Sequence, residues 1–240
     1  MIFFKTTFFA AIKRFFSLVW DFVMPARCAV CGMVVDGKDV VCEKCLSQVM
    51  YTDFAALPFN PMEQKLHRLT GQNTPAMALC VYTHDGLAGR VVDAFKYHHR
   101  RDMALWAGEM IGRELSMAKR WEGYDYVVPI PLHPSREKER GYNQALQICM
   151  GIAACYDVEI CEALKRESRT AAQARLGRSE RWDNARGIFR LSDKAHLVKG
   201  KRIIIVDDVL TTGATLSAAL LTLKEAGVAQ ASVVTFATGE

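Results

Sequence analysis

The sequence predicts an α/β protein with a parallel sheet and helices on both faces, preceded by a small four-cysteine module. From residue 77 onward, short apolar segments with strand character alternate with segments of helical period, which favours a doubly wound parallel sheet. Residues 203–206 are four consecutive β-branched residues, a pattern typical of a strand buried on both faces. Two C-x-x-C pairs lie between residues 28 and 45.

The elements follow each other in α/β order along the chain. We predict strands over residues 78–83, 126–130, 203–206 and 231–236, with one more short strand over 187–191. Helices are predicted over residues 86–96, 103–119 and 142–155, with another between the last two strands. The chain then divides into an amphipathic helix (1–24), a four-cysteine module (25–50), a connector with a short helix over 62–69 (51–76) and an α/β domain (77–240).

Composition allows one sizeable core and a small appended module. The 240 residues are 50% hydrophobic and 24% charged, which is ordinary for a globular protein of this length. The net charge of +5 is compatible with polyphosphate ligands or nucleic acid and decides for neither. The four scattered cysteines are expected to be small buried hydrophobic residues in a reducing compartment, the cytoplasm: Cys80, Cys149, Cys155 and Cys161.

The paired cysteines predict a metal site. Cys28 and Cys31 form one C-x-x-C pair, and Cys42 and Cys45 form the other. Two such pairs supply four thiolates, the ligand set of a closed structural zinc site. A redox pair or an iron–sulfur site are the alternatives, although redox use needs only one pair beside a thioredoxin-like fold. Because the module is too short for a core of its own, the metal should supply much of its folding energy.

Residues 1–24 are rich in phenylalanine but are interrupted by Lys5, Lys13, Arg14 and Asp21. No run approaches the roughly 20 apolar residues of a membrane-spanning helix. The apolar residues share one helical face, which predicts an amphipathic helix. This helix either packs on the protein itself or contacts a membrane surface or a partner protein.

The segment 203–215 predicts a ligand site at the carboxyl end of a central strand. Asp207 and Asp208 appear where the strand should end, and a loop rich in small and hydroxyl residues opens the next helix. A glycine loop at a helix start presents N–H groups to a phosphate, and two carboxylates beside it can accept hydrogen bonds from a ribose diol. Aspartates that merely cap the helix are one alternative. A Walker B strand is another, but the chain has no matching G-x-x-x-x-G-K-[ST] loop.

Two basic loops are expected to face this site. Residues 127–145 form a stiff, proline-containing loop in which Arg136, Lys138 and Arg140 could neutralise a diphosphate. A solvated charge run is the alternative, since glutamates alternate with the bases. The polar loop 170–184 carries three arginines and has the character of a lid. Lys96 ends a helix, and a basic cluster over 98–101 follows it. Two interpretations of this cluster are left open, a solvated helix end and a contact with the substrate.

In order, these segments are the four cysteines, A-F-K-Y, P-I-P-L-H-P-x-R-x-x-x-R-G-Y-N-Q-A, T-x-x-Q-x-x-L-x-R-x-x-R-x-x-N and V-D-D-V-x-T-T-G-A-T. The combination resembles the ComF family of proteins with a type I phosphoribosyltransferase fold, which are linked in some bacteria to DNA uptake and use. The resemblance implies binding of phosphoribosyl pyrophosphate (PRPP) with Mg²⁺. It implies that Asp207 and Asp208 hold the ribose 2′- and 3′-hydroxyls, and that the 5-phosphate lies in the loop of Thr211, Thr212, Gly213, Ala214 and Thr215.

The main functional hypothesis is a phosphoribosyltransferase with an unknown acceptor. Arg136, Arg140 and Lys96 are then expected to carry the charge of the departing diphosphate, and no covalent nucleophile is needed. The alternative is a non-catalytic protein that binds PRPP, a nucleotide or single-stranded DNA. Trp106, Trp121 and Trp182 could stack on bases, although most tryptophans in such patterns belong to the core. A third possibility is an adaptor that docks DNA-uptake proteins or a membrane through its N-terminal region.

Overall fold

The computed structural model describes residues 25–36, 39–97, 99–166 and 187–239. The chain separates into two compact units, Met1–Gln48 and Val49–Glu240. The predicted amphipathic helix (1–24) and the predicted lid (170–184) lie outside the described residues. Within the described part of the chain, no helix combines the length and apolar character needed to cross a membrane.

Helices and strands alternate along most of the second unit, whereas the described residues of the first unit contain one short helix. The helices are α1 Glu43–Leu46, α2 Pro61–Thr70, α3 Leu87–Tyr97, α4 Arg101–Met117, α5 Pro134–Arg140, α6 Gln144–Cys155 and α7 Ala214–Glu225. The strands are β1 Ala76–Val81, β2 Tyr126–Pro129, β3 Glu159–Ile160, β4 Leu164–Arg166, β5 Phe189–Leu191, β6 Arg202–Leu210 and β7 Gln230–Thr238. Short 3-10 helices cover Lys119–Trp121 and Asp193–Val198.

The main sheet has five strands in the order β1-β7-β6-β2-β3, and every neighbouring pair is parallel. The prediction of a parallel sheet with helices on both faces is confirmed. Ile205 of β6, for example, lies between Val233 of β7 and Val128 of β2. The run 203–206 is fully buried, as its uninterrupted β-branched sequence predicts.

Helices cover the two faces of this sheet with different residues. On one face, Met62 of α2 and Leu216 of α7 pack in the same core as Ile203 and Ile205 of β6. On the other face, Phe95 of α3 meets Phe236 of β7 edge-on, with ring centroids 6.2 Å apart. Helices α4 and α6 cross closely because both carry glycine there. A Cβ on Gly151 would lie 2.1 Å from the Leu105 carbonyl oxygen.

Two predicted elements differ from expectation. The strand predicted over 187–191 is present, but as β5 it pairs antiparallel with β4 in a separate two-stranded sheet. Only Phe189 of its three residues is buried, so this strand lacks the two apolar faces that an inner strand of the main sheet needs. The stiff loop predicted over 127–145 contains helix α5. Its residues are strong helix formers behind Pro134 at the first helical position.

The segment 51–76 belongs to the second unit and contributes to its core. Helix α2 begins at the Asn60 cap, whose side chain accepts from the Glu63 N–H at 3.1 Å, and it buries Met62 and Leu66. Just before it, Tyr51 forms an antiparallel bridge to Cys80 along the outer side of β1. This edge of the sheet is therefore covered, which limits pairing with other chains.

Candidate active site

The two aspartates of β6 lie on opposite faces of the sheet. Ile203 and Ile205 face the core that contains α2 and α7, and successive side chains of a strand alternate between faces. Asp207 therefore projects to the α7 face and Asp208 to the α3 and α6 face. The strand pairs with β7 as far as Leu210. The aspartates thus belong to its last residues, and the prediction that the strand ends before them was wrong.

Asp208 connects three elements through one oxygen. Lys96 at the end of α3 places Nζ 2.8 Å from Asp208 Oδ2. Gln144 at the start of α6 donates from Nε2 to the same Oδ2 at 3.4 Å, and Arg140 donates from Nη1 to the Gln144 Oε1. The structure therefore joins three predicted residues, Lys96, Asp208 and Arg140, with Gln144 as the link between the last two.

Asp207 is enclosed on its own face. It is only 9% exposed, and its Oδ1 accepts the Asp208 backbone N–H at 2.9 Å. Burial, together with the negative charge of Asp208, raises the pKa of Asp207 well above its usual range. A ligand that supplies hydrogen bonds or positive charge here would relieve this penalty.

Arg166, at the end of β4, is a site residue that sequence reasoning missed. Burial lowers the pKa of Arg166, Arg136 nearby acts in the same direction, and the carboxylate of Asp207 opposes both. The guanidinium also stacks over the Phe189 ring at 5.6 Å from its centroid. A lone arginine in L-K-R has no distinctive spacing, so only the pairing of β4 with β5 reveals it.

Arg136 and Arg140 both lie on α5 but are held differently. Arg136 is exposed on the helix and acts electrostatically on Arg166. The end of α5 is anchored by its neighbours: the Arg140 carbonyl oxygen is 2.9 Å from the His99 ring Nδ1, and Arg101 donates to the Gly141 carbonyl at 2.5 Å. The basic cluster that follows Lys96 thus positions α5, and His98 lies outside the described residues.

The segment R-G-Y-N-Q turns the chain from α5 into α6. Gly141 ends α5 with φ +76, a left-handed value that favours glycine. Tyr142 donates to the Phe95 carbonyl. Asn143 donates to the Ile130 carbonyl at 3.0 Å and caps α6 by accepting from the Ala145 N–H. Gln144 is thereby aimed at Asp208, so this motif links the basic helix to the acid pair.

The loop between β6 and α7 has the geometry of an anion site. Gly213 has φ +81 and forms the N-cap of α7, without a side-chain cap and without an acidic residue in the first turn. Thr211 and Thr212 are exposed beside it. Open N–H groups and the positive end of a helix dipole favour a phosphate. Lys65 of α2, a second residue that sequence reasoning missed, donates to the Thr211 carbonyl at 3.1 Å.

The four predicted metal ligands form one cluster in the first unit. The sulfur atoms of Cys28, Cys31, Cys42 and Cys45 all lie within 4.8 Å of one another, and those of Cys31 and Cys42 are 3.6 Å apart. Zn–S bonds of about 2.3 Å in a tetrahedron place sulfur atoms about 3.8 Å apart. The cluster therefore fits a tetrahedral metal ion.

Backbone donors prepare one of these thiols to ionise. Burial opposes ionisation of Cys28, but the N–H groups of Cys42, Cys31 and Val30 point at its sulfur and lower its pKa to about 6. Burial raises the pKa of Cys45 to about 12, with contributions from the other three thiols. Thiolates crowded in this way repel each other, and a bound cation removes that repulsion.

The remaining cysteines and the tryptophans have structural positions. Cys80, Cys149 and Cys161 are buried and Cys155 is half-buried, all as free thiols, as predicted for three of the four. Trp121 is fully buried and donates to the Ala55 carbonyl at 3.0 Å, so the suggestion that it stacks on bases was wrong. Trp106 packs against Phe236, and Trp182 lies outside the described residues.

The comparisons with known proteins give a phosphoribosyltransferase-like fold to the part of the chain that carries the acid pair and the glycine loop. Residues 144–240 match the family model described as the phosphoribosyl transferase domain. The chain is 27% identical over 213 residues to the "DNA utilization protein YhgH" of Salmonella typhi, covering 86% of this chain and 81% of that one. It is also 27% identical over 151 residues to "Competence protein F" of Haemophilus influenzae, covering 60% and 64%. The resemblance to the ComF family is thereby confirmed.

Among solved structures, the chain is similar to the glutamine PRPP amidotransferase of B. subtilis complexed with ADP and GMP. The identity is 18% and the TM-score 0.43, over 60% of this chain and 30% of that enzyme. This chain thus corresponds to less than a third of that protein.

Proposed function

We propose that the protein binds PRPP together with Mg²⁺ and transfers its phosphoribosyl group to an acceptor. One observation carries this proposal: Lys96, Asp208, Gln144 and Arg140 form a continuous chain of contacts at the carboxyl edge of the sheet, beside the glycine loop. Cations, carboxylates and an anion loop at one strand end match the three parts of PRPP, namely diphosphate, diol and 5-phosphate.

In this proposal, each part of the site has one task. Asp207 and Asp208 accept hydrogen bonds from the ribose 2′- and 3′-hydroxyls. The loop of residues 211–215 holds the 5-phosphate through backbone N–H groups and threonine hydroxyls. Arg136, Arg140 and Lys96 stabilise the negative charge that grows on the diphosphate as its bond to C1 breaks. Lys96 must then shift from Asp208 toward the diphosphate when PRPP binds.

Mg²⁺ would arrive with PRPP. Among the described residues, the one cluster of metal-ligating side chains is that of the four cysteines, which is a soft ligand set unsuited to this ion. Mg²⁺ prefers one or two carboxylates with substrate phosphates and water. Asp207 and Asp208 are the carboxylates nearest to such a ligand, and the ion would neutralise part of the diphosphate charge.

We further propose that the four-cysteine cluster holds a structural zinc ion. All four positions are occupied by cysteine, which leaves no open site for water or substrate and indicates a structural role. The arrangement of the cysteines, four in one cluster with metal-ligand spacing and the others mostly buried, supports the proposal of a cytoplasmic protein, since it needs no disulfide framework.

The link to DNA is proposed from the relatives, which are named for DNA utilization and competence. The non-catalytic alternative, a PRPP, nucleotide or single-stranded DNA binding protein, predicts binding without turnover. Partner docking through residues 1–24, to DNA-uptake proteins or a membrane surface, is an independent proposal outside the described residues.

The test is a calorimetric titration of the zinc-loaded protein with PRPP and Mg²⁺. The variant Asp207→Asn/Asp208→Asn should lose PRPP binding while its zinc content stays unchanged. A matched control is Asp157→Asn/Glu225→Gln, which removes two carboxylates at the amino edge of the sheet. Equal PRPP affinity in both double variants would refute the assignment. Release of diphosphate in the presence of trial acceptors then separates transfer from binding alone.

A further inference from the structure

A second pocket adjoins the glycine loop on the side away from the diphosphate cations. It lies between α2 and the carboxyl ends of β1, β6 and β7, and we call it the α2 pocket. Its volume is about 300 Å³, at the lower end of the range for small-molecule sites. Its lining includes Phe54, Met62, Lys65, Arg68, Leu210 and Gly239.

The α2 pocket is apolar inside and carries two cations. Phe54, Met62 and Leu210 supply apolar walls, whereas Lys65 and Arg68 are one helical turn apart on α2. Residues three apart on a helix lie on the same face, so both charges can address one group. Among the described residues that line this pocket, none is acidic, and a group that binds here would therefore be anionic next to an apolar portion.

Helix α2 connects the pocket directly to the glycine loop. Lys65 donates to the Thr211 carbonyl at 3.1 Å, and a Cβ on Gly213 would lie 2.7 Å from Leu69 Cδ1. The pocket residue Leu210 immediately precedes the loop. A group bonded to a phosphate in this loop would therefore be within reach of Lys65 and Arg68.

The two faces of the sheet separate the two ends of the ligand. Lys96 and Arg140, which are proposed for the diphosphate, are joined to Asp208 directly and through Gln144 on the α3 and α6 face. The α2 pocket lies on the opposite face, which is covered by α2 and α7. With the 5-phosphate between the two groups, Lys65 and Arg68 are not needed to bind the diphosphate.

We propose that the α2 pocket binds a second phosphoryl group joined to the 5-phosphate. The favoured ligand class is then a ribose 5-phosphate whose phosphate is linked onward to a further phosphoryl group and an apolar or aromatic group. This inference deepens the proposed function and rests on it, because it requires the ribose 5-phosphate to occupy the site at β6.

The experiment compares two ligands on the full-length, zinc-loaded protein by calorimetry. Ribose 5-phosphate fills only the proposed site, whereas ADP-ribose offers the same group with a 5′ extension. Wild-type protein should bind ADP-ribose about tenfold more tightly, the gain expected from one additional charge-assisted contact. Arg68→Met should remove this gain and leave most of the affinity for ribose 5-phosphate.

Lys224→Met is the matched control, since it removes one exposed lysine at the far end of α7. It should keep the preference for ADP-ribose. Equal affinity of the wild type for both ligands would overturn the inference and leave the proposed function standing. An equal loss for both ligands in Arg68→Met would also overturn it, because this cation would then serve the 5-phosphate itself. Failure of the wild type to bind either ligand would overturn the inference, and the titration with PRPP and Mg²⁺ would then decide the proposed function separately.

Discussion

The contact between Lys96 and Asp208 should be energetically coupled, and the coupling can be measured. Nζ and Oδ2 are 2.8 Å apart, and the side chains are 25% and 8% exposed. Two unit charges at this distance attract by about 6 kcal/mol at an effective dielectric constant of about 20, and by about 1.5 kcal/mol in water. The loss of hydration offsets much of this attraction. We therefore expect a coupling of about 2 kcal/mol.

The perturbations are Lys96→Met, Asp208→Asn and the two combined. In Lys96→Met, the buried carboxylate of Asp208 loses its cation. It keeps two hydrogen bonds, from the Val209 N–H at 2.8 Å and from the Gln144 amide at 3.4 Å. This variant should lose about 2 kcal/mol of the free energy of unfolding. The same change made in Asp208→Asn should cost little, because the amide carries no charge.

The assay is urea unfolding at pH 7 and constant ionic strength, followed by far-UV circular dichroism. The transition of the second unit has to be resolved from that of the first, since each has its own structure. The double-mutant cycle then isolates the pair. Additivity of the two single changes within about 0.5 kcal/mol would refute the view that Lys96 is held by Asp208.

Three further predictions test other parts of the molecule. Burial and the charge of Asp208 raise the pKa of Asp207. Above about pH 4, the folded state therefore keeps a proton on this carboxyl that the unfolded state has lost. The free energy of unfolding of the wild type then falls as the pH rises, by at most about 1.4 kcal/mol per pH unit. Asp207→Asn should therefore gain stability relative to the wild type as the pH rises above about 4.5 in urea unfolding. Asp125→Asn should show the opposite trend, and only below about pH 4, because the Arg202 N–H and Lys201 lower the pKa of Asp125 below its usual value. Gly213→Ala and Gly200→Ala should each lower the free energy of unfolding by about 1–2 kcal/mol, since both glycines have positive φ. Only Gly213→Ala should weaken the binding of ribose 5-phosphate in calorimetry. Equal binding by both variants would argue against the loop as the phosphate site. Chelation of zinc should unfold the first unit and leave the circular dichroism of the parallel sheet intact. Cys28→Ser should lower the zinc content measured by metal analysis, whereas Cys155→Ser should keep one ion per chain.

Local sequence was sufficient where one segment contains all the information. The strand of residues 203–206 is apolar on both faces, so its burial in the middle of a parallel sheet follows from the residues alone. The two C-x-x-C pairs bring their thiols together through short turns. In the same way, Gly213 before an apolar helical segment indicates a helix that opens at a glycine.

Other predictions failed because a competing local preference or a distant partner in the fold prevailed. Helix α5 lies where a loop was expected. The alternating acidic and basic residues after Pro134 are good helix formers, and this preference outweighed the expectation of an exposed coil. Strand β6 continued through both aspartates because β7 provides pairing partners as far as Thr238. Trp121 became core because the segment before α2 folds over it and accepts its indole N–H.

The sequence by itself determined the fold class, the cysteine cluster and the acid pair beside a glycine loop, because each depends on neighbours within a short stretch of chain. Only the tertiary structure decided which side chains reach that acid pair. Lys96, Gln144 and Arg166 come from α3, α6 and β4, far apart in the chain, and Lys65 of α2 reaches the neighbouring glycine loop. Strand crossovers and helix packing place these residues at one edge of the sheet. Their separation in the sequence does not predict how close they lie in the folded protein.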